Sequence, residues 1–179
     1  MNTKNNRRRQ SSVERIKAAF FDQLKKKELS QIKVTDICKI ADINRSTFYA
    51  NFIDIFDLAD KIYDGLQNEV GQMFDLKCDL TSCLDEFRAL FEHIRAHQEL
   101  YVCYFRLGYE NKHWQVKNFF DIKNSLNEQD LDYRVEFFKS GFNAIVKMWL
   151  FGGCKETPEY MCEVLLSEYR GRTSPKSTH

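Results

Sequence analysis

Proline and glycine are scarce in this chain of 179 residues. Two prolines, Pro158 and Pro175, and seven glycines leave long stretches with nothing to break a helix, which predicts an all-α fold. Missing too is any apolar run of the roughly 18 residues that a membrane-spanning helix needs. The opening residues are polar and basic, without the apolar stretch of a secretory signal. The expectation is a cytoplasmic protein with no membrane partner. Six cysteines (Cys38, Cys78, Cys83, Cys103, Cys154, Cys162) contain no C-x-x-C pair, so neither a disulfide framework nor a metal site is predicted, and most should be reduced and buried as small hydrophobes. A Gly-rich phosphate loop, a nucleophile signature and a clustered acid/base pair are absent as well. No catalytic residues, and no cofactor, are therefore expected.

What is present is an ordinary folded composition, 43% hydrophobic and 30% charged. Its charge is uneven: residues 1–55 carry 12 Lys/Arg against 6 Asp/Glu, whereas residues 56–179 carry 15 against 20. A basic first third on an acidic remainder fits an N-terminal part that meets a polyanion. By charge alone, an unevenly solvated surface fits equally well.

Residues 1–10 end in Arg7-Arg8-Arg9 and read as a flexible basic arm. Ser11, three residues before Glu14, matches a capping box at a helix start. Val13, Ile16, Phe20 and Leu24 then form one apolar stripe, closed by Lys25-Lys26-Lys27. Val34, Ile37 and Ala41 predict a short second helix, interrupted at Asp42-Ile43. Asn44 is a suitable N-cap for a third helix, with Phe48 and Phe52 on its inner face. Asp54 can cap a fourth helix with the stripe Leu58, Ile62, Leu66, Val70 and Met73. Two short helices joined by a tight turn and flanked by longer ones predict a helix-turn-helix over Val34–Phe52 within a three- or four-helix unit.

The third helix carries the chemistry. With Phe48 and Phe52 inward, Ser46 and Ala50 face outward and Thr47 and Tyr49 flank them. Small side chains let such a helix enter a major groove, while hydroxyls, an aromatic and Arg45 supply contacts to bases and phosphates. An ordinary solvated helix usually presents Glu and Lys, and residues 45–51 contain neither.

Beyond residue 70 the pattern stays helical. Leu84, Phe87, Leu90, Phe91 and Ile94 make a stripe, Tyr101–Leu107 is rich in aromatics, and Asn124–Asp132 reads as a loop. Tyr133–Phe151 predicts a long helix with two apolar sides. One runs through Phe138, Phe142, Ile145 and Trp149, the other through Phe137, Gly141, Ala144 and Met148. A helix apolar on two sides packs against its own core and against a partner. Gly152-Gly153 ends it, Thr157-Pro158 opens the last helix as N-cap and N1, and Gly171–His179 reads as a disordered tail.

The run Asp36-Ile37-Cys38, with Ala41-Asp42-Ile43-Asn44-Arg45-Ser46-Thr47-Phe48-Tyr49-Ala50-Asn51-Phe52, resembles the DNA-binding signature of the tetracycline-repressor (TetR/AcrR) family over about residues 11–70. The second half is similar to a class of C-terminal domains of that family through Phe137-Phe138-Lys139-Ser140-Gly141, Trp149-Leu150 and Thr157-Pro158-Glu159. The resemblance implies that Arg45 and Thr35 reach base edges, and that Thr47, Tyr49 and Asn51 hold phosphates or thymine methyls. It also implies a homodimer formed by the last two long helices, and an effector cavity in the regulatory domain. Three positions depart from the family pattern. Asp42 replaces the usual glycine, and Lys33 replaces a capping Thr or Ser, placing a charge near DNA. Ile55 stands where a phosphate-binding lysine is common; with Leu58–Ile62–Leu66 closing the core it is expected to face the DNA backbone, the alternative being that it packs against Phe52 or Leu58.

The expected organisation is an arm at 1–10, a helix-turn-helix domain at 9–69, an antiparallel helical ligand-sensing and dimerisation domain at 70–170, and a tail at 171–179. DNA contacts are expected from Lys33, Thr35, Arg45, Ser46, Thr47, Tyr49 and Asn51, with Arg7, Arg8 and Arg9 tracking the backbone or entering the minor groove. Dimer contacts are expected from Phe138, Phe142, Ile145, Trp149, Met161 and Leu165. The expected function is a regulator, a repressor in the first instance, that binds a palindromic operator and answers to a small-molecule or protein effector. The alternative is a coregulator whose weakened reading head serves as a protein-binding module. His93 and His97, at i and i+4, share a helix face that can hold a metal, but no third ligand completes a set and a surface helix is expected. Tyr101–Tyr109 can line a ligand pocket or simply fill a core.

Overall fold

The computed structural model describes residues 4–73, 84–111 and 128–173. The described residues form eight α-helices and no strand. The chain divides into two compact units, residues 1–68 and 69–179, with the division inside the fourth helix.

The first unit opens on α1 (Lys4–Leu24). This corrects the expected arm: Arg7, Arg8 and Arg9 are helical. No glycine or proline precedes Gly65, and lysine, arginine and glutamine are good helix formers, so nothing stops the helix from starting early. Ser11 is accordingly a mid-helix residue and not a cap, and the Ser12 hydroxyl donates back to the Arg8 carbonyl at 3.0 Å. A short 3₁₀ turn (Leu29–Gln31) leads into α2 (Val34–Ile40), followed by α3 (Arg45–Tyr49) and α4 (Ile55–Gly71).

The turn between α2 and α3 is built on Asp42, which has a positive φ of 50°. The Ile43 N–H donates to the Cys38 carbonyl at 3.0 Å, the six-to-one bond of a Schellman ending. Arg15 of α1 donates to the Asp42 carbonyl at 3.3 Å and ties the turn to the first helix. At the start of α4, Asp54 accepts the Asp57 N–H and the Asp57 carboxylate accepts the Ile53 N–H, both at 2.8 Å. These bonds satisfy orphan donors of the first turn. Ile16, Phe20, Ile37, Phe48 and Leu58 are fully buried and make the core of the unit.

The second unit packs α5 (Leu84–Ala96) against α8 (Pro158–Thr173), and α6 (Gln98–Arg106) against α7 (Glu128–Phe151). Helix α7 begins at Glu128, so part of the expected Asn124–Asp132 loop is helical; residues 124–127 lie outside the described residues. Helix α8 continues to Thr173, three residues into the expected tail, and residues 174–179 again lie outside. The end of α7 is a double left-handed turn at Gly153 (φ 86°) and Cys154 (φ 50°), closed by a 2.9 Å bond from the Cys154 N–H to the Trp149 carbonyl. Thr157 caps α8 through its hydroxyl, which accepts the Tyr160 N–H at 3.3 Å.

The core of this unit is aromatic. Phe91 meets Trp149 edge-on at 5.5 Å, and Phe87 and Phe91 lie 6.0 and 5.9 Å from Phe142. The Trp149 indole N–H donates to the Glu156 carbonyl at 3.2 Å. The stripe expected at a dimer interface is thus largely the protomer's own core. Phe138, Phe142, Trp149, Met161 and Leu165 are buried and Ile145 is half-buried. The exposed side of α7 is the other one, through Tyr133, Phe137, Gly141, Ala144, Met148 and Phe151.

Candidate nucleic-acid interface

Helix α3 is held by a single deep anchor, Phe48, which is fully buried with its ring 5.6 Å from that of Phe52. Anchoring one face fixes the opposite one outward. Arg45, Ser46, Tyr49 and Ala50 are exposed, and Thr47 is half-buried beside them. Tyr49 keeps 57% of its surface in solvent, although its ring edge packs on Phe48. On α2, Lys33 and Thr35 are exposed as well. Lys33 occupies the N-cap position, where its ammonium, having no acceptor, makes no capping bond.

Asn51 makes two side-chain bonds within the protein. Its amide donates to the Thr47 carbonyl at 2.8 Å, while its side-chain oxygen accepts Arg9 Nε at 2.8 Å. The structure thereby gathers Arg8 and Arg9 of α1 with Ser46, Thr47 and Asn51 around one open groove, and Ser12 adds a hydroxyl to its wall. Arg7, Lys33, Thr35, Arg45 and Tyr49 do not line that groove.

Ile55 is corrected by the structure. It is 5% exposed and belongs to the buried stripe of α4 with Leu58, Ala59, Ile62 and Leu66. These follow it at i+3, i+4, i+7 and i+11, so the stripe does not close without its first member. Ile53 and Phe56 are the exposed apolar residues there, at 76% and 56%. Lys61 was not singled out in the sequence. Its ammonium reaches the Asn51 carbonyl at 3.0 Å and Asp57 at 2.9 Å, and lies 5.4 Å from the Phe52 ring centre. The Ile53 N–H, followed by Lys61, holds the Asp57 carboxyl below its ordinary value. The i, i+4 spacing of Asp57 and Lys61 was the signal available beforehand.

In the second unit, His93 and His97 lie with ring centres 4.4 Å apart and planes tilted by 44°. One ring nitrogen of His93 lies 2.9 Å from the Tyr101 hydroxyl and the other 3.4 Å from Glu69, so both are already engaged. Burial and His97 lower the His93 pKa, against the pull of Glu69. Tyr101, Tyr104, Phe105 and Tyr109 of the aromatic stretch are buried as core. Cys38, Cys103, Cys154 and Cys162 are buried free thiols, and Cys78 and Cys83 lie outside the described residues. Burial pushes Cys103 up to about 12 and Cys162 to about 11, which keeps both protonated and unreactive at neutral pH.

Residues 82–167 match the family TetR_C_8, described as a transcriptional regulator C-terminal region. Among solved structures, the dihydroxyacetone kinase operon activator DhaS shares the fold. Its TM-score is 0.57 over 90% of this chain and 95% of that one, at 18% identity. No curated protein sequence matches the chain. The fold is shared with DhaS, α2 and α3 form a helix-turn-helix, and the matched region is that of a transcriptional regulator's C-terminal part. In that region the chain is similar to regulators of the TetR type.

Proposed function

We propose that this protein binds operator DNA as a homodimer, with α3 as the reading helix. The observation that carries the reading is the outward face of α3. An arginine, a serine, an exposed tyrosine and an alanine stand on a helix whose only deeply buried residue is Phe48, and no acid interrupts them. Arg45 and Thr35 are assigned to base edges, Thr47 and Tyr49 to phosphates or thymine methyls, and Lys33 to the backbone. Repression is the expected direction; DhaS is described as an operon activator, so activation stands beside it.

The dimer is assigned to the exposed stripe of α7. Phe137, Met148 and Phe151 are 64%, 74% and 53% exposed, and Tyr160 on α8 is 53% exposed. An apolar row of this kind on a long helix is costly to leave in water and fits a copy of itself. Between its large residues lie Gly141 and Ala144, and a Cβ added at Gly141 meets nothing within 4 Å. Two such helices can therefore approach closely. A two-fold dimer reads half-sites about one helical turn apart, near 34–36 Å. An effector in the second unit acts by changing the spacing of the two reading heads.

The exposed Ile53 and Phe56, beside Asp54 and Asp57, favour a second reading, a coregulator whose head docks on protein. Gel shifts on DNA from upstream of the protein's own coding region, over a range of salt, separate the two. Sequence-specific retention at physiological salt supports the operator reader; weak binding without sequence preference supports the coregulator.

A further inference from the structure

Residues 53–57 at the entrance to α4 carry no cation: residue 55 is a buried isoleucine, its neighbours are Ile53, Asp54, Phe56 and Asp57, and the nearby Lys61 is held by Asp57 and the Asn51 carbonyl. The basic groups lie instead across α3, on the first turns of α1. There the groove is walled by two guanidinium groups, Arg8 and Arg9, by the hydroxyl-bearing Ser46 and Thr47, and by Ser12, whose hydroxyl proton is already given to the Arg8 carbonyl. No carboxylate lines it. Arg9 lines the groove and is fixed through Nε to the Asn51 side-chain oxygen at 2.8 Å, a bond that does not use its Nη groups. Asn51 is itself fixed at 2.8 Å on the Thr47 carbonyl, and its own carbonyl accepts Lys61 at 3.0 Å. One of its two amide N–H groups and its side-chain oxygen are thus engaged inside the protein.

Planar, fixed guanidinium groups with hydroxyls and no acid recognise a phosphate-like oxyanion. The groove shares Ser46, Thr47 and Ala50 with the face of α3, so the anion it meets there is a DNA backbone phosphate. We propose that this groove seats one backbone phosphate per protomer, gripped by Arg8 and Arg9, with Asn51 as a positioning residue that makes no DNA contact of its own. The inference rests on the DNA-binding reading above and moves its main phosphate anchor from α4 to α1.

Phosphate contacts carry no base information, so a random 30-base-pair duplex serves as probe and no operator need be known. Fluorescence anisotropy of the full-length protein is followed from 50 to 200 mM salt for the wild type, Arg8→Ala/Arg9→Ala, Arg9→Ala, Asn51→Ala and Arg9→Ala/Asn51→Ala. Losing one phosphate per protomer lowers the log–log slope by about 0.9, or about 1.8 per dimer. The affinity ratio between those two salt concentrations then shrinks by about twelvefold. Asn51→Ala weakens binding alone but adds nothing to Arg9→Ala. An Arg8→Ala/Arg9→Ala slope equal to wild type overturns the groove, and an Asn51→Ala loss that persists in full without Arg9 makes Asn51 a direct contact. A wild-type protein with no salt-dependent binding to this duplex or to its own upstream DNA overturns the DNA-binding reading itself. Arg9→Lys, which keeps the charge without the Nε donor, should keep the slope while making Asn51→Ala neutral.

Discussion

Ile55 shows how one side chain changes the use of a helix end. Because it is 5% exposed, Ile55→Lys places an ammonium where the native chain keeps a sec-butyl group out of water. Part of the lysine can snorkel from this first-turn position, so the expected cost is about 1–3 kcal/mol. A lower thermal midpoint with an unchanged salt slope is expected; a steeper slope at full stability would place residue 55 against the DNA backbone after all. Asp42 carries the opposite sign. Its φ of 50° is strained for a side chain, and Arg15 binds its carbonyl, which glycine retains. Asp42→Gly should therefore stabilise the protein by about 1 kcal/mol in a denaturant titration, and a fall would reveal a bond made by the carboxylate. His93 titrates from an ordinary value of 6.5 that burial and His97 push down. Near and below that value the unfolded chain takes a proton that the folded one still refuses. Stability is therefore retained above about pH 6.5 and lost as the pH falls through the folded value. Melting curves between pH 5 and 8 should show the loss, and His93→Gln should flatten it; a slope that survives the substitution assigns it to another group.

Helices, more than single residues, show which parts of the structure periodicity could reveal. The stripes Ile16–Phe20–Leu24 and Phe87–Leu90–Phe91–Ile94 were legible because each helix has one apolar side, and all of these residues are buried. The turn at Asp42 and the caps at Asp54 and Thr157 were legible because few side chains do those jobs. Helix α1 was read too short because Ser11 and Glu14 imitate a cap, while the real start has no marker beyond a lack of breakers. Helix α7 defeats periodicity for a different reason. Both its sides are apolar, and only the aromatic partners on α5 decide which turns inward. The groove of α1 and α3 was invisible for the same cause, since Arg9 and Asn51 stand 42 residues apart. The two sides of α7 can be told apart by substitution. Trp149→Ala should cost about 3–5 kcal/mol by opening a cavity beside Phe91 and freeing the Glu156 carbonyl. Phe137→Ala, at 64% exposure, should leave the chemical denaturation of the isolated protomer within about 0.5 kcal/mol. Equal costs at the two positions would mean that Phe137 is also core.

At the scale of the whole molecule, the proposed function puts dimerisation and DNA reading on separate parts of the chain, and one substitution should uncouple them. Met148 is 74% exposed on the same side of α7 as Phe137 and Phe151, so a charge there meets water in a single protomer and an unpaired, desolvated site in a dimer. Met148→Glu should thus leave the helical content and the first unit intact while shifting the mass in light scattering toward that of one 21.3 kDa chain. The reading face on α3 is untouched, so each protomer still binds a half-site. The proposed gain from engaging two half-sites with one linked dimer disappears, and such a gain is worth about 10²–10⁴ in affinity. On a palindromic duplex the variant should lose most of its affinity, and on a duplex bearing one half-site it should match the wild type. Moving the half-sites apart by about half a helical turn should hurt the wild type and leave the variant unaffected, because only a dimer senses their spacing. Light scattering that still reports a dimer would place the interface elsewhere on the second unit. A monomeric variant that keeps full affinity for the palindrome would show that the heads bind independently, and would remove the basis for effector control through their separation.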